Sequence, residues 1–175
     1  MNKILRFTLA FILPFFLVSC FAPEDDDVTI ELNPGVDTVE INTEFIDSGA
    51  TSKAFGFKVD NEVIYDDVDI TAVGTYHIVY EVEYKSVTKT ITRIVNVVDE
   101  TPPTGNLNAG IDTISVGSSW VDASVTVFDN SLGDVTITVS GNVNSNIAGE
   151  YIITYILEDP SGNQSSIERY VFVIE

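Results

Sequence analysis

The side chains able to do chemistry in this chain of 175 residues are few in kind: one thiol (Cys20), one imidazole (His77), one indole (Trp120) and 27 carboxylates. A single thiol cannot crosslink the fold, but a nucleophilic sulfur can be alkylated. His77 lies in the alternating run Tyr76 to Glu83, on the side opposite Tyr76, Ile78, Tyr80 and Val82, and no motif supplies the partners of a catalytic triad or a zinc site. The chain has no Gly-x-Ser-x-Gly, phosphate-cradling loop or dinucleotide fingerprint. These residues describe a protein that is not an enzyme. The carboxylates and carboxamides have another use, because hard divalent cations, Ca²⁺ above all, take six to eight oxygen ligands. Three groups have suitable composition: Asp99 and Glu100; Asp129, Asn130 and Asp134; Asp159 and Asn163. They are far apart in sequence, so only a fold that brings two loops to one linker would join them. The competing explanation is local, since Asp-Asn and Gly-Asp also form turns by bonding their own backbone.

Cys20 follows Lys3, Arg6 and an apolar run over residues 7–18, the order of regions expected of an export signal. That run is too short to span a bilayer as a mature helix. The tetrapeptide Leu17-Val18-Ser19-Cys20 resembles the lipobox of bacterial lipoproteins, which implies that residues 1–19 are a signal peptide and that Cys20 becomes an acylated first residue. Each buried methylene contributes roughly 0.8 kcal/mol and two chains give stable anchoring, so an acylated Cys20 would make the lipid bilayer a lasting partner. Residues 20–27 then form a tether ending in Glu24-Asp25-Asp26-Asp27, expected to be a solvated spacer. This run resembles the acidic stretch after the lipidated Cys of surface-exposed lipoproteins in Bacteroidota-type bacteria. Phe21 also differs from the Asp that retains lipoproteins in the inner membrane of enteric bacteria. The expected location is therefore the outer membrane, facing the exterior, with a periplasm-facing position as the alternative.

Composition narrows the partners. The formal charge is −19, and loss of Lys3 and Arg6 with the leader makes it more negative still. Nucleic acid is excluded as a partner, because phosphate binding rests on clustered cations. Anionic headgroups would repel the protein too, leaving the acyl group as its membrane contact. With 45% hydrophobic residues the chain can build a core, and its length suits one medium domain or two small ones.

Internal repetition decides for two. At an offset of 75, the segment from Leu32 to Thr51 matches that from Leu107 to Thr126 at seven of twenty positions, among them Asp37/Asp112, Asp47/Asp122 and Thr51/Thr126. Gly74-Thr75-Tyr76 falls on Gly149-Glu150-Tyr151, and after one inserted residue Arg93 falls on Arg169. The expected units are residues 28–99 and 100–175. Val, Ile, Thr and Tyr alternate with period two, and turn residues recur every eight to twelve positions, so each unit is expected to be an all-β, antiparallel, immunoglobulin-like sandwich. Gly-x-Tyr-x-Ile resembles a tyrosine corner, with Ile78 and Ile153 where an antibody domain has its second Cys.

The second copy carries Trp120-Val121-Asp122, Asp129-Asn130-Ser131-Leu132-Gly133-Asp134 and Asp159-Pro160-Ser161-Gly162-Asn163. It resembles the bacterial Ig-like domains first described on a pesticidal crystal toxin and akin to hyalin repeats. The first copy keeps Phe45-Ile46-Asp47 and Gly74-Thr75-Tyr76 but lacks both acidic loops, so it looks like a diverged member. The resemblance implies a structural, spacer or adhesive role, with an unidentified protein or glycan as ligand. An accessory glycan-binding lipoprotein of a polysaccharide-uptake system is the alternative, which would need Trp120 as an exposed stacking platform; its alignment with Phe45 argues for a core position. In an Ig-like topology the loops holding Asp129, Asn130, Asp134, Asp159 and Asn163 lie beside the incoming linker with Asp99 and Glu100, which would place calcium at the junction. Gly117-Ser118-Ser119 and Asn144-Ser145-Asn146 are expected at the opposite end.

Overall fold

The structure is a computed structural model and describes residues 22–131 and 133–175. Cys20 and its lipobox therefore lie outside the described residues. The described chain is all-β, in immunoglobulin-like sandwiches, apart from one 3-10 turn at Asp25–Asp27. In the N-terminal half, β1 (Val28–Leu32), β3 (Ala50–Ala54) and β4 (Phe57–Val59) form one sheet in the order β1-β3-β4. The facing sheet runs β2-β7-β6-β5, from β2 (Thr38–Glu40), β5 (Glu62–Asp66), β6 (Gly74–Tyr84) and β7 (Val87–Val98). In the C-terminal half, β8 (Thr104–Leu107) pairs with β10 (Val125–Phe128). They face a sheet ordered β11-β12-β13-β9, from β9 (Thr113–Ser115), β11 (Thr136–Ser140), β12 (Gly149–Glu158) and β13 (Gln164–Ile174).

The alternation in the sequence sets which residues face inward. Along β6, Ile78 and Tyr80 are buried and pack with Val95 of β7 and, across the sandwich, with Ile30, Leu32 and Ala50, while Val82 is buried with Val28, Ala54 and Val87. Along β12, Ile153, Tyr155 and Leu157 are buried against Val125 of β10, with Trp120 packed beside them. At roughly 1.5–3 kcal/mol for each fully buried aliphatic or aromatic side chain, these clusters hold the sheets together without a disulfide. Tyr76 Oη donates to Ala72 O at 2.8 Å and Tyr151 Oη to Ile147 O at 2.9 Å, so both halves close a tyrosine corner.

Two features differ from the sequence expectation. The sheets are not wholly antiparallel: β2 pairs with β7, and β9 with β13, in parallel. The cause lies in the segments after β1 and β8, where Asn33-Pro34-Gly35 and Asn108-Ala109-Gly110 carry the chain across to the other sheet. Gly35 and Gly110 are the close points of this crossing. A Cβ on Gly35 would lie 2.5 Å from Ser48 Oγ, and one on Gly110 would lie 2.9 Å from Ala123 Cβ. The acidic run is also not a free spacer throughout. Glu24 N donates to Asp27 Oδ2 at 2.8 Å, Lys89 Nζ lies 3.2 Å from Asp25 Oδ2, and Phe55 N donates to Asp27 O, which docks the turn on the first sandwich. A capping box formed by Glu24 and Asp27, three apart in this run, makes that turn self-supporting.

The halves share one buried polar network. Arg93 is 1% exposed; its Nη2 donates to Asn33 O and Gly49 O, and its Nη1 pairs with Asp37. Arg169, also 1% exposed, donates through Nη2 to Asn108 O and Ser124 O, and through Nη1 to both oxygens of Asp112. Tyr80 Oη donates to Asp47 Oδ1, and Tyr155 Oη to Asp122 Oδ1. Thr51 and Thr126 each donate a hydroxyl to the Asn that begins the crossing, Asn33 and Asn108. Most of the repeated identities in the sequence are parts of this one device, which satisfies the carbonyls freed where the chain changes sheet.

Candidate functional site

The two hairpins that close the sandwiches differ in length, and the difference creates the site. In the first half Tyr84 pairs directly with Val87, leaving a two-residue turn whose Lys85 takes a φ of 55°. In the second, Glu158 pairs with Gln164, and the five-residue loop between them carries Asp159 and Asn163. This loop holds its own shape: Asn163 N donates to Asp159 Oδ1 and Asn163 Nδ2 to Asp159 Oδ2, both at 2.8 Å. Asn163 Nδ2 also reaches Asp99 O at 2.9 Å, fastening the loop to the residue that follows β7. Ser161 Oγ donates to Asp99 Oδ2 at 2.9 Å. From the other side, the loop after β10 brings Asp129, whose Oδ1 accepts from Ser131 N at 2.8 Å and from Ser131 Oγ.

Asp99, Asp129 and Asp159 thus meet, each offering a carboxylate oxygen within 4.8 Å of the others. Asp99 is 8% and Asp159 4% exposed, while Asp129 is half-buried. Asn130 lies beside them, and its Oδ1, like Asp99 Oδ1 and Asp129 Oδ2, is buried without a hydrogen-bond donor among the described residues. Asn163 acts on this group through its amide donors. Glu100 and Asp134 are exposed and are not part of the triad of acids, although Glu100 N is bonded at the same junction. Leu132 lies outside the described residues.

Glu40, at the end of β2, was not among the residues singled out in the sequence. Its carboxylate accepts from Glu100 N at 3.0 Å, Thr101 N at 3.1 Å, Thr101 Oγ1 at 2.7 Å and Asn130 Nδ2 at 2.8 Å. These donors, the Thr101 hydroxyl foremost, hold its pKa below the ordinary carboxylate value. Asn42 Nδ2 completes the bridge by donating to Asn130 O at 2.6 Å. No local pattern marks Glu40, because its role depends on the parallel pairing that lays β2 beside the last residues of β7. The Asp-x-Ser spacing of Asp129 and Ser131, by contrast, is a visible turn signal. An open cleft of about 700 Å³ lies alongside, lined by Ile41, Val73 and Val98 from one half and by Gly133, Pro160 and Ser161 from the other.

Two more chemically capable residues, His77 and Trp120, are held by the fold. His77 N donates to Asp67 Oδ1 at 2.6 Å, and its ring is 4.0 Å from the same carboxylate on the outer side of its sheet. Trp120 packs against the cluster of Val125, Ile153, Tyr155 and Leu157, as Phe45 packs against Ile78 and Tyr80. Gly117 N donates to Ser145 O at 2.8 Å, joining the loops at the opposite end of the second half.

Comparison with known proteins gives one family match. Residues 110–173 match the model of the family described as bacterial surface protein, Ig-like domain. No curated protein sequence matches significantly. Among solved structures, a lipoprotein from Bacteroides thetaiotaomicron is similar with a TM-score of 0.36 and 15% identity, covering 81% of this chain and 98% of its own. An endo-fucoidan hydrolase from glycoside hydrolase family 107 has a TM-score of 0.34 and 14% identity, covering 89% of this chain. This chain spans only 30% of that hydrolase. The strand order and the tyrosine corner of the second half agree with the Ig-like fold of the family whose model matches residues 110–173.

Proposed function

We propose that the chain is a lipid-anchored, non-catalytic surface lipoprotein whose two Ig-like units, tandem copies of one ancestral module, act in series as a spacer that carries a distal binding face. The observation that supports this most directly is where the chain enters and leaves each half. Val28, at the start of β1, packs with Val82 and Val87 beside the β6–β7 turn, whereas the half is left at Val98, the far end of β7. Pro103 leads into the second half beside the start of β13, where Ser165 Oγ donates to Pro103 O, and the half is left at Ile174. At about 3.4 Å per residue, strands of this length span roughly 35–40 Å. Each unit therefore passes the chain from one end to the other, which is what a stalk needs and a closed catalytic module does not.

Acylation of Cys20 would place the docked acidic turn nearest the membrane and the loops at Gly117 and Ser145 farthest from it. The experiment is fractionation of cells making the wild type or Cys20→Ala. The wild type should sediment with membranes and be digested by protease added to intact cells, and the variant should leave the membrane fraction. If Cys20→Ala stays membrane-bound, the anchor assignment fails; if the wild type survives protease while other surface proteins are cut, outward display fails.

A further inference from the structure

We infer that Asp99, Asp129 and Asp159 form a calcium site that locks the junction between the two halves. Three carboxylates whose oxygens lie within 4.8 Å of one another repel strongly when they are withdrawn from water. Partial burial leaves that repulsion only weakly screened by water and salt. No Lys, Arg or His among the described residues forms an ion pair with any of the three. The two buried arginines of the fold are committed elsewhere, Arg93 to Asp37 and Asp47, and Arg169 to Asp112 and Asp122.

The second observation is independent of the charges. Asp99 is more than nine-tenths buried, and its Oδ1 has no hydrogen-bond donor. Asp129 Oδ2 and Asn130 Oδ1 share that condition in the adjoining loop. Buried oxygens without donors lose their hydration with nothing in return, the more so when charged, so a native protein leaves three together only where something else satisfies them. The group that satisfies several acceptors and cancels their charge at once is a cation.

The donor set selects its class. Carboxylate and amide oxygens with no nitrogen or sulfur suit a hard divalent ion. Mg²⁺ demands near-octahedral geometry and gives up its waters reluctantly, whereas Ca²⁺ takes six to eight oxygens in a flexible geometry. Ligands carried on a linker and two separate loops suit the more adaptable ion, Ca²⁺. Ser161 holds Asp99 Oδ2 and Ser131 holds Asp129 Oδ1, leaving the other oxygen of each without a donor, while Asn163 fixes Asp159 through both of its oxygens, each of which keeps a lone pair. Such outer partners orient ligands before an ion arrives. Asp99 belongs to the end of the first half, and Asp129 and Asp159 to the second, so an ion shared among them ties the two together. The site stands apart from the spacer proposal, to which it would add a stiff joint.

The test is calcium titration of the full chain purified from membranes in detergent and stripped with EDTA. One Ca²⁺ per chain should bind, with an affinity in the range from micromolar to millimolar, and raise the melting temperature by several degrees. Asp99→Asn and Asp129→Asn should each weaken binding at least tenfold. Both should melt higher than the wild type in EDTA, because they relieve repulsion. Asp134→Asn, outside the cluster, should bind as the wild type does. Absence of binding in the wild type, an unchanged calcium shift in both cluster variants, or an equal shift with Mg²⁺ would overturn the assignment. If one cluster variant fails to fold, the other decides. Membrane attachment and protease accessibility are not read in this titration, so its failure leaves the spacer proposal to its own experiment.

Discussion

Arg169 Nη1 lies 2.8 and 2.9 Å from the two carboxylate oxygens of Asp112, and Arg93 holds Asp37 in the same place in the other half. Both guanidinium groups are buried, whereas Asp112 and Asp37 are partly open to solvent, at 38% and 43% side-chain exposure. Removing the cation therefore strands mainly backbone carbonyls: Asn108 O and Ser124 O in one half, Asn33 O and Gly49 O in the other. Arg169→Met is expected to cost about 2–4 kcal/mol, from two unsatisfied acceptors and the lost pair. Arg93→Met should cost a similar amount, and Asp112→Asn about 1 kcal/mol. Urea denaturation checks the order; an Arg169→Met variant as stable as the wild type would show that the network specifies the fold without stabilising it.

Alkali should act through the tyrosines of the same network. Burial, followed by the bond to Asp47, pushes Tyr80 up from 10.0 to about 12, and burial with the bond to Asp122 raises Tyr155. A raised folded-state value means that the neutral phenol is favoured in the native protein. The associated stability is complete below pH 10, the value in the unfolded chain, and is lost as the pH climbs towards about 12. Melting temperatures between pH 9 and 12 should fall, and Tyr80→Phe with Tyr155→Phe should flatten that decline. An equally steep decline in the double variant would assign it to other groups.

Acid should loosen the junction. The folded-state pKa of Glu40 is lowered, so its contribution is present above the ordinary carboxylate value and disappears as the pH falls through the lowered one. Protonation removes the acceptor shared by Thr101, Glu100 and Asn130. Glu40→Gln at neutral pH should reproduce part of the effect, which proteolysis of residues 99–103 measures as faster cleavage. No change in cleavage would show that the linker is held without Glu40.

Gly141 and Gly56 both have positive φ, at 98° and 81°, but their surroundings differ. A Cβ on Gly141 would lie 2.2 Å from Ile152 O, whereas nothing lies within 4 Å of one on Gly56. Gly141→Ala should therefore cost about 2–4 kcal/mol, from backbone strain and the collision together, and Gly56→Ala about 1–2 kcal/mol from strain alone. Equal costs measured by denaturation would mean that the backbone at Gly141 relaxes freely.

Each tyrosine corner makes one hydroxyl-to-carbonyl bond near the surface, Tyr76 to Ala72 and Tyr151 to Ile147. Tyr76→Phe and Tyr151→Phe should each lose about 1 kcal/mol. A loss beyond about 3 kcal/mol in either would indicate that the ring, and not its hydroxyl, is misplaced by the change.

The sequence by itself determined the all-β class, the two-fold repeat in the pattern of residues, and which side of each long strand is buried. Period-two alternation is a local property, so Ile78, Tyr80 and Val82 face inward whatever surrounds them. It also marked Asp99, as an acid of the linker, and Asp129 and Asp159, as acids of turn-forming loops, because such residues can be recognised by type. Tertiary structure decided the rest. Only pairing of β2 with β7 brings Glu40 to residues 100 and 101, across sixty positions of chain. Only the five-residue loop in the register of β12 and β13 sets Asp159 against Asp99, while Glu100 and Asp134, equally acidic, stay in solvent. Composition supplies the charges; which of them are buried together, and so have reason to share an ion, depends on where the loops of one half meet the last strand of the other.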